Sequence, residues 1–220
     1  MEGAVAAALG RRRRLVVVRH APHGTGCRGG RVERRIVNNE SAEIIRLLDS
    51  AFDAVALHPE RRYCPDALRV PIDELNAYIY DHVNDGVYRC GFARRQPVYE
   101  AACRALFEAL DVLDERLAGS RYLLGAAITE ADWRLFTTLV RFDAVYYSHF
   151  KCNLRRISDY ASLSGYLRDL YQQPGIAGTV DMDHIKRHYY RTHATINPTR
   201  IVPLGPLLDL DAPHDRASLG

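Results

Sequence analysis

The chain has no apolar run approaching the length of a membrane span, which excludes a transmembrane helix within its 220 residues. It has no Cys-x-x-Cys pair and no zinc-ribbon spacing, so a structural zinc site of that type is excluded. Its five cysteines, Cys27, Cys64, Cys90, Cys103 and Cys152, are odd in number and widely scattered. That is not the framework of a small secreted disulfide protein, and a reducing cytoplasm is the expected compartment. Strand-like alternation is missing after residue 40, which leaves the body without the signature of a sheet.

Charge is unevenly placed. The net charge is +3, yet residues 1–35 hold nine arginines against Glu2 and Glu33. The remaining residues carry 21 basic and 25 acidic side chains, so a basic segment precedes a mildly acidic body. An acidic body argues against a nucleic-acid surface on the fold. The run Arg11–Arg14 is followed by only four apolar residues, Leu15 to Val18, too short for a secretory signal. An organelle transit peptide, a misassigned start and a solvated tail all fit this segment, and the last is the expectation for residues 1–33. No membrane or nucleic-acid partner is expected.

What is present is helical periodicity. Apolar residues at 44, 45, 48 and 52 mark a first helix over 42–52. Residues 58–70, with Pro59 and Pro65, read as a linker. Pro71 suits the first turn of a helix carrying Ile72, Leu75, Ile79 and Val83, ending near Gly86. Gly86 to Phe92 reads as a glycine-bracketed segment that can bend to present Tyr88. Further helices are expected over 96–117, 132–150, 158–171 and 183–191. Thr129 and Asp132 form a capping box with Asp in place of Glu. The residues from 192 onward, rich in proline, read as an extended tail. The fold class is mainly α, with 71–191 forming a bundle of five or six helices.

The junction before the first helix has chemical potential. Glu40 and Ser41 stand where unpaired backbone N–H groups and the helix dipole favour a carboxylate. Ser41 adds a hydroxyl donor and Glu40 can accept from an ammonium. Such a corner can grip both charged ends of an amino-acid head group. Taken locally, Ser41 also reads as a simple N-cap.

Four stretches carry a resemblance. They are Ile36-Val37-Asn38-Asn39-Glu40-Ser41, Asn84-Asp85-Gly86-Val87-Tyr88-Arg89-Cys90-Gly91-Phe92-Ala93, Thr129-Glu130-Ala131-Asp132-Trp133-Arg134-Leu135-Phe136 and His184-Ile185-Lys186-Arg187-His188-Tyr189-Tyr190. With Asn197-Pro198-Thr199 they make the chain, from about Arg35 to about Pro206, resemble the glutathionyl-hydroquinone reductases, or Xi-class glutathione transferases, which are omega-like. The resemblance implies a thioredoxin-like domain joined to an all-α C-terminal domain, here with residues 34–57 as a remnant of the former. It implies glutathione as co-substrate, no metal, quinone or hydroquinone conjugates of glutathione as substrates, and a homodimer. The family's cysteine, in a Cys-Pro-Trp-Ala motif, attacks the sulfur of a glutathionylated hydroquinone. This frees the hydroquinone and leaves a mixed disulfide, which a second glutathione resolves.

By the same resemblance Tyr88 exchanges a proton with the hydroquinone carbon. Tyr146 and Tyr189 crowd the thiol and favour its thiolate, although helix phase leaves Tyr147 and Tyr190 open as alternatives. Glu40 and Ser41 bind the γ-glutamyl end of glutathione. The sequence departs from the family in having no Cys-Pro-Trp-Ala, no strand–helix–strand before Glu40 and no Val-Pro turn. The sole Cys-Pro, Cys64-Pro65, lies after the Glu40–Ser41 corner and reads as a decoy. Little turnover is therefore expected of the chain as written, and an inactive helical dimerisation or binding module is the alternative. His184 and His188 share a helix face, but Ile185 stands where a metalloprotease motif needs glutamate, so surface or capping roles are expected.

Overall fold

Glu40 caps the first described helix: its carboxylate accepts the Ala42 N–H at 3.4 Å, and helix α1 runs Ser41–Ser50. The N-cap is therefore Glu40, and Ser41 is the first helical residue, which corrects the local reading of Ser41 as the cap. The structure is a computed structural model describing residues 40–219; the basic segment 1–33, residues 34–39 and Cys27 lie outside the described residues. After α1 comes a 3-10 turn, Asp53–Val55. Arg62 ties this turn back to the helix, donating to Asp53 and to the Asp49 carbonyl. Of the described residues, 40–62 belong to one compact unit and 63–219 to a second.

The second unit begins with a 3-10 turn, Asp66–Leu68, that leads into α2, Arg69–Ile79. Ile72, Leu75 and Ile79 recur at helical spacing and are buried. The helix does not stop near Gly86. It widens into a π turn, Tyr80–Asn84, closed by Asp85 N–H to the Tyr80 carbonyl at 2.8 Å, and continues as α3, Gly86–Phe92. The π turn adds a residue to the helical register, which brings Val83, Val87 and Cys90 onto the buried face. The glycine-bracketed segment is thus helical. Its glycines serve close packing: a Cβ on Gly91 would sit 2.3 Å from the Phe150 ring, and one on Gly86 would touch Leu106.

Helix α4, Gln96–Ala118, opens with Pro97 in its first turn. It buries Leu106, Leu110, Leu113 and Leu117 along one stripe and packs most closely on α3. A two-residue bridge, Tyr122 to Gly125, replaces any strand among the described residues. Helix α5, Glu130–Arg141, then starts at the capping box. Asp132 accepts from the Leu123 N–H, the Thr129 N–H, the Thr129 hydroxyl and the Tyr166 hydroxyl, at 2.7–2.9 Å. Four donors hold one buried carboxylate, yet desolvation still pushes its pKa above the ordinary aspartate value.

The long helix expected over 132–150 is interrupted. A second π turn, Phe142–Tyr146, separates α5 from a single turn, α6, Tyr147–His149. The helix expected from 158 begins later. Residues 157–159 form a 3-10 turn, and α7 spans Leu163–Tyr171. Helix α8, Met182–Thr192, is capped by Asp181 through the His184 N–H. Beyond α8 the chain makes turns near 194–200 and 210–212 joined by an extended stretch, before a last 3-10 turn, Arg216–Leu219, so the tail is only partly extended. That turn is anchored: Arg216 is buried and donates to the carbonyls of Ser120 and Arg121. No described helix is long and apolar enough to cross a membrane.

Candidate active site

Three elements of the second unit each present an aromatic pair four residues apart. Helix α3 supplies Tyr88 and Phe92, the second π turn leads from Tyr146 to Phe150, and α8 supplies Tyr189 with His193 just past its end. The rings meet. Tyr146 and Phe150 stack at 5.4 Å between centroids, Tyr88 lies 5.3 Å from Phe150, and His193 lies 5.3 Å from Phe92. Gly91 lets the Phe150 ring lie against the α3 backbone, so the cluster depends on a residue with no side chain.

The three hydroxyls form a chain. Tyr88 Oη and Tyr189 Oη are 2.8 Å apart, and Tyr189 Oη and Tyr146 Oη are also 2.8 Å apart. Tyr146 and Tyr189 are buried, while Tyr88 is 37 % exposed and Phe92 beside it 47 %. Burial pushes the phenols of Tyr146 and Tyr189 well above the ordinary tyrosine value, so both remain neutral hydroxyls at physiological pH.

The direction of the chain follows from burial. Tyr146 Oη has no other partner among the described residues, so its proton has to go to Tyr189 or be left buried and unmatched. An unmatched buried donor costs about 1–3 kcal/mol. With Tyr146 donating to Tyr189 and Tyr189 donating to Tyr88, the proton of Tyr88 is left free to point outward. The arrangement therefore offers one O–H at the exposed end, on the oxygen that accepts from Tyr189.

The structure brings Tyr88, Tyr146 and Tyr189 together and leaves Tyr147 and Tyr190 outside the hydroxyl chain. Tyr190 instead pairs with the Ser148 hydroxyl and the Ala144 carbonyl. Glu40 and Ser41 stand at the start of α1 in the first unit, where both are exposed. Sequence reasoning missed Phe92 and Phe150 and weighed His193 only with His184 and His188 as a metal, surface or capping residue, although the repeated spacing of four between aromatic positions was a readable signal. His149 is also part of this region. Its Nε2 lies 3.2 Å from His193 Nδ1, and burial lowers its pKa to about 4. Among the described residues no group of three or more His, Cys, Asp or Glu side chains is placed to hold a metal.

Comparison with known proteins bears on this arrangement. The family "Glutathione S-transferase, C-terminal domain" matches residues 96–169. The glutathionyl-hydroquinone reductase YqjG of Escherichia coli strain K12 is 58 % identical over 181 residues, covering 82 % of this chain and 55 % of that protein. Close homologues of the chain are glutathionyl-hydroquinone reductases and Xi-class glutathione transferases. The glutathionyl-hydroquinone reductase PcpF of Sphingobium chlorophenolicum is 53 % identical over 176 residues, covering 80 % of this chain and 56 % of that protein. The glutathione-bound structure of the E. coli protein superposes with a TM-score of 0.81 at 56 % identity, covering 84 % of this chain and 59 % of that one. A Xi-class transferase from Natrialba magadii gives the same TM-score at 52 % identity, covering 84 % and 56 %. The chain spans a little more than half the length of these relatives.

Proposed function

We propose that this chain carries the proton-handling part of a glutathione-dependent reductase of glutathionyl-hydroquinones. The observation that supports this reading is the hydroxyl chain Tyr146–Tyr189–Tyr88, whose one outward O–H lies at an exposed aromatic edge. In the reaction Tyr88 gives its proton to the hydroquinone carbon as the carbon–sulfur bond breaks, and the Tyr189 hydroxyl stabilises the resulting phenolate. Tyr146 and Tyr189, held neutral by burial, crowd the place of the thiol and direct their protons along the chain, which leaves the Tyr88 O–H as the donor that tunes it. Glu40 and Ser41 bind the γ-glutamyl head of glutathione through an ammonium contact and the α1 N-terminus. The substrates are glutathione and its quinone-derived conjugates. The active assembly is a homodimer in the cytoplasm, and the units correspond to a thioredoxin-like remnant and a C-terminal helical domain.

The nucleophile is the open part of this scheme, since no Cys-Pro-Trp-Ala occurs in the sequence. The chain on its own should show little reduction of a glutathionyl-hydroquinone. A chimera bearing the residues of the E. coli relative that precede the matched region supplies the test. In that chimera Tyr88→Phe should lower turnover about a hundredfold while the unfolding midpoint barely moves. Unchanged turnover per folded molecule, with a lowered midpoint, would show that Tyr88 is a packing residue. Robust turnover by the chain alone that vanishes with Cys64→Ala would assign the nucleophile to Cys64. A chimera that folds and stays inactive would favour the second reading, a helical binding or dimerisation module.

A further inference from the structure

A cavity of about 240 Å³ opens between α5, α7 and residues 206–210. The aromatic cluster takes no part in its lining. Leu139, Leu167 and Leu208 give it an apolar floor, and Ser158 and Ser164 stand on its walls. Two arginines face it, and they are not equivalent. Arg156 is held by Asp159 through Nε at 3.0 Å and Nη2 at 2.8 Å. Arg168 forms no ion pair and no side-chain hydrogen bond among the described residues, and its Nε is fully buried without an acceptor.

A buried guanidinium N–H without a partner is a costly arrangement that calls for an acceptor. The neighbouring carboxylates do not supply one. Asp143 is committed to the backbone N–H groups of Ile157 and Ser158, at 2.6 and 3.1 Å. Asp209 stands exposed on the rim and pairs with neither arginine.

We propose that this cavity binds a small carboxylate with an apolar body, with the carboxylate on Arg168. The planar fork of the guanidinium matches two carboxylate oxygens, and one of its N–H groups is already desolvated. The leucines take the body of the ligand. Asp143 and Asp209 oppose a multiply charged anion more strongly than a single carboxylate, which selects against phosphate.

Octanoate titrated into the full chain, followed by calorimetry and by the Nε–H resonance of Arg168, tests the assignment. One saturable site is expected, with the Arg168 resonance shifting along the same isotherm. Arg168→Gln should weaken binding at least about tenfold, and Arg168→Lys, which keeps the charge and loses the fork, should fall between. Octanol, with the same chain and no charge, should bind at least about tenfold more weakly. Absence of saturable octanoate binding, or equal affinity in Arg168→Gln, overturns the proposal. Displacement of octanoate by inorganic phosphate at similar concentration overturns the carboxylate class. Should Arg168→Gln fail to fold, the resonance shift in the unaltered chain still decides the case, because an unshifted Nε–H under saturating octanoate rules Arg168 out.

Discussion

Tyr189 is the residue on which the hydroxyl chain depends, because of the three it alone hydrogen-bonds to both other phenols. Tyr189→Phe should cost about 1–3 kcal/mol in urea unfolding, since it leaves the buried Tyr146 hydroxyl without a partner. Tyr88→Phe strands the Tyr189 proton instead, and it should cost less because that proton lies at the partly exposed end of the chain, where water can receive it. Equal costs for the two variants would mean that water does not take the proton that Tyr189 directs at Tyr88. His149 gives a residue-scale pH effect. Its folded pKa is lowered to about 4 from the ordinary value near 6.5, so the folded protein binds fewer protons than the unfolded chain between these values. Stability should therefore be full above about pH 6.5, fall as pH drops toward 4, and level off below it, by on the order of 2–3 kcal/mol. Urea midpoints measured across this range should show the slope, and His149→Phe should flatten it. A slope unchanged in the variant would assign it to other groups.

At the scale of elements, the capping box of α5 joins three parts of the bundle. Asp132 holds its own helix start, the Leu123 backbone and Tyr166 on α7. Asp132→Ala should destabilise the second unit by about 3 kcal/mol or more, well above the usual cost of a lost cap, because several buried donors lose their acceptor at once. A loss near 1 kcal/mol in denaturant melts would reduce Asp132 to an ordinary cap. Gly91→Ala should displace Phe150 and lower the unfolding midpoint, which near-ultraviolet circular dichroism of the aromatic cluster would report alongside thermal melts. These two sites differ in how legible they were. Thr129 and Asp132 carry the capping pattern openly, and the apolar spacing of Ile72, Leu75 and Ile79 marks a helix by itself. Gly86 and Gly91 pointed the wrong way, toward a bend, because a glycine required by a neighbouring ring looks the same in sequence as one required by a turn. The π turns left no pattern, since one added residue per helix falls within the ordinary scatter of apolar spacing.

On the scale of the whole molecule, long-range partners decide what local pattern cannot. Prolines after residue 195 read as a loose tail, yet Arg216 reaches back into the bundle, and only the folded chain reveals the carbonyls of Ser120 and Arg121 that receive it. Arg216→Ala should release this segment and make residues 196–215 susceptible to limited proteolysis while α2 to α8 stay protected; an unchanged digestion pattern would show that other contacts hold the tail. The convergence of Tyr88, Tyr146 and Tyr189 was legible through family motifs, but the choice of Tyr146 over Tyr147 and Tyr189 over Tyr190 needed the bundle. The two π turns have an outcome for the protein's tolerance of change. Each residue of an α-helix advances the rotation by about 100°. Deleting one residue from 80–84 would yield a more regular helix and swing Tyr88 relative to Ile79 by that angle, away from Tyr189. The same deletion in 142–146 would carry Tyr146 off its neighbours. Backbone regularity and aim are thus opposed at these two places, so single-codon deletions there should give chains that remain helical while losing the hydroxyl alignment. Length is a functional variable at these positions, as much as residue identity.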